Sequence, residues 1–247
     1  AVADGKIHPA LESAERAIAI ATTEGPEVVL VEALTTKALA VGVTRDLDAG
    51  VQLAREARAL ALEHGLVSQV SRSFFTEMLI FNFREGQTEG GLGALADGLA
   101  YAESNCGPRW RTDFRRSLCL GYVESGRLKA SGPMLDDLLA LELDDLRMLQ
   151  VLHTAGLHAL AVGDLHRAAE ILERSQAIAD RYQSAQETGV QARLAAELAR
   201  RQGNLDQADA LIDAALELAR AARLDLPAAQ EQIPLDVDQL TPTSPGV

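Results

Sequence analysis

The sequence predicts an all-α chain, a solenoid of about six antiparallel helical hairpins, and three observations carry that prediction. Composition is the first. Alanine and leucine dominate, while 5 Phe, 3 Tyr and 1 Trp are all the aromatic residues of a 247-residue chain. Such a bias favours helices over strands, which prefer β-branched and aromatic side chains. The second is a pattern that returns six times, with turn positions Gly5, Arg45, Gly86, Gly126, Gly163 and Gly203 at steps of 40, 41, 40, 37 and 40 residues. The third is the spacing inside each return, where apolar and small residues recur at offsets of three, four and seven, the spacing of one helical face.

Each turn opens a helix. Two residues after the turn stands Ile7, Leu47, Thr88, Leu128, Leu165 or Leu205, apolar in all but Thr88. Five after it stands Ala10, Gly50, Gly91, Ser131, Ala168 or Ala208, small in every repeat. Ala14, Ala54, Leu95, Leu135, Leu172 and Ile212 follow at nine, then Ala17, Ala57, Gly98, Leu138, Ser175 and Ala215 at twelve. Two helices crossing at about 8–10 Å leave no room for a long side chain at their nearest approach, so the small position marks a packing seam. Upstream of the turns, segments 114–124, 152–162 and 192–202 predict a second helix, with Cys119, Gly156 and Ala196 each seven residues before its turn. Six repeats therefore predict about eleven helices, because the first begins at its turn. Hairpins of this kind stack because none can bury its own apolar face alone.

Charge and residue usage narrow the function. Hydrophobic residues make up 47% and charged residues 24%, a folded and soluble composition, and no stretch approaches the roughly 20 apolar residues a membrane span needs. With 36 acidic against 23 basic residues the net charge is −13, which opposes a phosphate backbone; no direct nucleic-acid binding is expected. Cys106 and Cys119 form no CxxC or Cys/His ligand spacing and are too few for a disulfide framework. With no signal-peptide pattern, a cytoplasmic location is expected. Ala1 stands where a start would have Met, so the chain is expected to begin inside a longer protein or after processing.

Gly163-Asp164-Leu165, with Gly156 seven before the turn and Ala168 five after it, resembles the tetratricopeptide repeat, and so does Gly203-Asn204-Leu205 with Ala208 and Ala215. The usual repeat is about 34 residues, so these are lengthened hairpins. A helix opened by Trp110-Arg111 runs to Leu120-Gly121-Tyr122, the turn Ser125-Gly126-Arg127-Leu128 follows, and then Leu138-Leu139-Ala140-Leu141. Arg45-Asp46-Leu47-Asp48-Ala49-Gly50 precedes an Ala/Leu helix ending at Glu63-His64-Gly65. Over residues 1–226 this order resembles the repeat arm of MalT-like bacterial regulators, in which a signalling ATPase is followed by helical repeats and a LuxR-type DNA-binding domain. The resemblance implies a right-handed superhelix and a non-catalytic, effector-sensing or protein-binding role. A free-standing scaffold bridging two proteins is the alternative. The chain carries the arm alone: Gly5-Lys6 lacks the upstream glycine and following hydroxyl of a phosphate-binding loop, and no basic helix-turn-helix is present.

In tetratricopeptide solenoids the first helix of each hairpin lines the concave face. Carried onto this sequence, that places Ser73, Glu77, Arg116, Leu120, His153, Leu157 and Arg193 in or near a groove. Arg111 joins them as one of four arginines, with Arg109, Arg115 and Arg116, that flank Trp110 and Phe114; guanidinium forks could grip carboxylates there or pair with acids of neighbouring repeats. The partner is expected to be a protein, a peptide of mixed character or a small effector, since no Lys/Asn clamp for a C-terminal carboxylate recurs at these positions; self-association is left open. No catalytic residue, cofactor or metal is expected. His153 and His158 lie five apart, a spacing that does not put two ligands on one helical face, and Asp136-Asp137 and Asp144-Asp145 fall on exposed faces and turns. Gly90, Gly91 and Gly93 follow no strand and read as thin packing rather than a phosphate cradle. Four of the eight prolines (Pro227, Pro234, Pro242 and Pro245) close the chain, so residues 227–247 are expected to leave the helical pattern, with 226–240 capping the apolar end of the last hairpin.

Overall fold

The computed structural model describes residues 4–44, 46–83, 88–182 and 185–230, and among these every regular element is a helix. Eleven helices follow in order, as the repeat arithmetic predicts: α1 (Asp4–Glu24), α2 (Glu27–Thr44), α3 (Leu47–Glu63), α4 (Val67–Asn82), α5 (Thr88–Asn105), α6 (Pro108–Glu124), α7 (Leu128–Leu139), α8 (Asp145–Val162), α9 (Leu165–Tyr182), α10 (Ala185–Arg201) and α11 (Leu205–Gln230). The chain divides into two compact units, residues 1–142 with α1 to α7 and residues 143–247 with α8 to α11. The fold is all-α, and each unit is a stack of helical hairpins.

Turn chemistry separates the helices. Gly163 and Gly203 hold φ of 82° and 83°, the left-handed region that costs a side-chain-bearing residue roughly 1–2 kcal/mol. That conformation lets Gly163 N donate to Leu160 O at 3.0 Å and Asp164 N to Ala159 O at 2.9 Å, closing α8 with two otherwise orphaned carbonyls satisfied. Asp164 then caps the next helix by accepting from Arg167 N at 3.0 Å. Asp46 does the same for α3 through Ala49 N, and Asp144 for α8 through Arg147 N. Gly5 departs from the expected scheme: α1 already begins at Asp4, so this glycine lies in a first helical turn. Arg45 and Gly86 lie outside the described residues.

In the first unit α2 packs on α3, α4 on α5 and α6 on α7; in the second, α8 packs on α9 and α10 on α11. Contacts also join α2 to α4 and α8 to α10, the helices that precede the turns, so these first helices form the inner layer of each stack. The seam residues lie at the closest approaches. Gly50, Gly91, Ser131, Ala168 and Ala208 are all buried, and Ala10 is half-buried. A Cβ on Gly50 would lie 2.3 Å from Gly42 Cα and 2.9 Å from Ala38 O, so here backbone meets backbone. In α6 and α7 the seam is a contact between the two small positions themselves, Cys119 Sγ to Ser131 O at 3.5 Å. Ala208 is 3% exposed, so a longer side chain there must displace its neighbours. Ala208→Arg is expected to lower stability by more than about 2 kcal/mol through overpacking and burial of charge, measured by urea unfolding; a variant as stable as the parent would place the seam elsewhere.

Leu226 does not end the helical pattern. α11 runs on through Pro227, which supplies no backbone donor, to Gln230. Residues 231–247, with Pro234, Pro242 and Pro245, lie outside the described residues, as does the part of the expected cap that falls on them.

Candidate functional site

A cavity of about 410 Å³ opens in the first unit against α4, α5 and α6. It exists because two inner helices that could have met are held apart. Further up the same helices Phe114, 0% exposed, stands between them: its ring stacks on Phe75 at a centroid distance of 4.3 Å and takes the edge of Phe74 at 6.3 Å. Trp110 and Tyr101 extend this aromatic cluster through Phe75 and Phe74. Gly98 of α5 makes room for it, since a Cβ there would lie 2.3 Å from Phe114 Cε1. Rings of this size separate α4 from α6, whereas α2 and α4 approach through Gly42, whose missing Cβ would meet Ile80 Cγ2 at 2.6 Å.

Below the rings the gap stays open. Met78, Leu79, Phe81 and Asn82 of α4 form one wall, Arg116, Ser117, Leu120, Gly121 and Glu124 of α6 the other, and Thr88, Gly91, Leu92 and Leu95 of α5 the floor. Leu79 is 38% exposed, and Phe83, just past the end of α4, is 63% exposed, so apolar surface continues out of the cavity. Arg116 Nη2 donates to Ser117 Oγ at 3.2 Å, which keeps the guanidinium along the wall. Glu124 is exposed two turns further along α6. The cavity thus combines an apolar interior with one cation and one anion on the same wall.

Of the residues expected in the groove, Arg116 and Leu120 line this cavity together. Ser73 and Glu77, expected on the same open face, are buried instead. Ser73 Oγ donates to Val70 O at 2.7 Å. Glu77 accepts from Arg55 Nε at 3.0 Å and Nη2 at 2.7 Å, with Arg58 Nη2 at 2.9 Å, because its side of α4 faces α3. Arg58 lies over the Phe74 ring, 3.9 Å from its centroid. Arg111 is half-buried beside Trp110, with its Nε enclosed and without a hydrogen-bond partner. His153 and Leu157, half-buried on α8, and Arg193, exposed on α10, belong to the second unit. The arginine cluster is partly absorbed by acids, as Arg115 pairs with Glu103 at 3.0 Å.

The other candidate groups have structural employment. Gly90 and Gly91 are thin packing, against the Phe81 ring and Asn82 Oδ1; Gly93 faces open space. Asp144 caps α8, and the Arg147 backbone N–H it accepts from holds its carboxyl below the usual range. Asp145 pairs with Arg181 at 3.3 Å, and exposed His166 meets Glu170 at 3.4 Å. Burial pushes the Cys119 thiol up to about 12, so it carries no thiolate nucleophile at neutral pH. Among the described residues no group of three or more His, Cys, Asp or Glu converges to hold a metal, and no helix is long and apolar enough to cross a membrane.

Comparison with known proteins bears on the fold. The crystal structure of BtubC (BKLC) from P. vanneervenii is similar over 99% of this chain and 96% of that one, with a TM-score of 0.66 at 17% identity. At that identity the likeness is one of fold alone. No family model matches the sequence, and no curated protein matches it.

Proposed function

We propose that this chain is a non-catalytic binding module whose first unit takes a segment of mixed character, an apolar side chain flanked by a carboxylate and a cation. The α4–α5–α6 cavity carries the reading. Its apolar walls take the anchor, Arg116 takes the carboxylate, and Glu124, eight residues along α6 and therefore about 12 Å away, takes the cation. The net charge of −13 favours a partner that is otherwise basic. A peptide segment, or a small effector with the same groups, has this chemistry. The tetratricopeptide-like turns and their order support a place as the sensing arm of a cytoplasmic bacterial regulator, where an occupied cavity would change how the arm engages attached domains.

The test is thermal unfolding against short peptides carrying Leu or Phe beside Asp or Glu, each compared with its carboxylate methyl ester. A ligand at 100 times its Kd is expected to raise the melting temperature by roughly 5–10 °C. Esterification and Arg116→Ala should each remove most of that shift. A shift that survives Arg116→Ala, or none from any peptide, would overturn the reading.

A further inference from the structure

In the second unit, α11 shows to solvent an apolar stripe whose counterparts earlier in the repeat are covered. Leu205, Ile212 and Leu216 are 61%, 46% and 48% exposed, and their offsets of seven and four put them on one side of the helix. Ala54 and Leu95, at the repeat position of Ile212, are 0% and 3% exposed because a further helix packs on them. Leu47 and Leu165, at the position of Leu205, and Leu99, at that of Leu216, are half-buried. This face of α11 is therefore built like one that another helix covers.

Its charge selects the occupant. Leu205, Asp209, Ile212 and Leu216 follow one another at steps of four, three and four residues, the spacing at which one helix packs along another. Asp209 is exposed within this row, and Asp206 and Asp213 are exposed beside it, on the flank away from the buried Ala208. No Lys, Arg or His stands between Leu205 and Glu217, so the margin of the stripe is acidic along its whole length. We propose that this face docks an amphipathic helix of another protein, one whose apolar row is bordered by Lys or Arg and carries one such cation in the row itself, opposite Asp209. A charge inside a helix–helix seam accepts only its counter-charge there, so Asp209 sets the register while the leucines and Ile212 supply the contact. A second copy of the chain is the poorer occupant, because self-pairing over residues 205–217 sets carboxylates against carboxylates in either direction.

The probes are two labelled peptides of about three heptads, both with Leu and Ile at the a and d positions. One has Lys at its central a position and at every e and g position, the other Glu at the same places, and fluorescence anisotropy reads their binding to the full chain at physiological salt. The Lys peptide is expected to bind at least about tenfold more tightly than the Glu peptide. Ile212→Ser should weaken the Lys peptide by about tenfold, and Asp209→Lys with Asp213→Lys should reverse the order of the two peptides. Asp48→Lys with Glu63→Lys makes the same change in net charge on exposed acids of α3 and should leave that order as it is. All five positions are exposed, so each variant keeps the fold. Failure of the Lys peptide to bind, equal binding of both peptides, binding that survives Ile212→Ser, or an α3 variant that acts like the α11 variant would each overturn the proposal. So would sedimentation of the parent as a dimer that Ile212→Ser dissociates, which would give the face to a second copy.

Discussion

Phe114→Ala is expected to destabilise the first unit by about 3–5 kcal/mol, the largest effect of any single truncation considered. The ring is 0% exposed, stacked on Phe75, edge-on to Phe74 and pressed onto the backbone at Gly98. Removing it leaves a void that its rigid neighbours fill poorly, because Gly98 has no side chain to move into the space and Leu95, Leu118 and Ala102 are already packed. Trp110 is the one tryptophan and its ring lies 6.4 Å from that of Phe114, so its fluorescence reports unfolding of this region. A urea midpoint unchanged from the parent would mean that the rings do not prop α4 from α6. The same substitution is expected to abolish peptide binding in the cavity below, since the gap between α4 and α6 depends on the wedge.

Glu77→Ala is expected to cost about 3 kcal/mol. The Glu77 side chain is 5% exposed and serves two guanidinium groups; Arg58, at 15%, has little access to water to replace its carboxylate. The cost is that of a buried charge left without its partner, not the net worth of the ion pair. Arg55 is 55% exposed, and Arg55→Ala is expected to cost under about 1 kcal/mol, as for a surface pair. Replacing both members, as in Arg58→Met with Glu77→Leu, should recover much of the loss. Equal costs for Arg55→Ala and Glu77→Ala in thermal unfolding would mean that Glu77 is solvated.

Ser73 and Glu77 show where reading by repeat register stops. Register places α4 in the inner layer, and α4 does pack there on α2. Which side of α4 stays open is decided by its neighbours: Arg55 and Arg58 of α3 draw Glu77 inward, and Met78, the next residue and about 100° around the helix, lines the cavity instead. Arg116 and Leu120 were legible because α6 keeps the expected face open. The α4 and α5 sides were not, since Phe81 and Leu92 look like ordinary core residues in the chain. Gly91 and Gly121 were their only trace, and a glycine on a packing seam reads the same whether it closes a contact or floors a cavity.

Composition and periodicity by themselves determined the all-α class, the eleven helices, their pairing into hairpins and the seam at Gly50, Gly91, Ser131, Ala168 and Ala208, because each rests on local spacing and on the steric demand of a close helix crossing. The cavity, the buried Glu77 and the uncovered stripe of α11 were decided by the tertiary structure alone. Each depends on the volume or charge of residues on another helix, such as Phe114 against Gly98 and Glu77 against Arg58, and a repeat pattern records where a face lies without recording what its neighbour leaves unfilled.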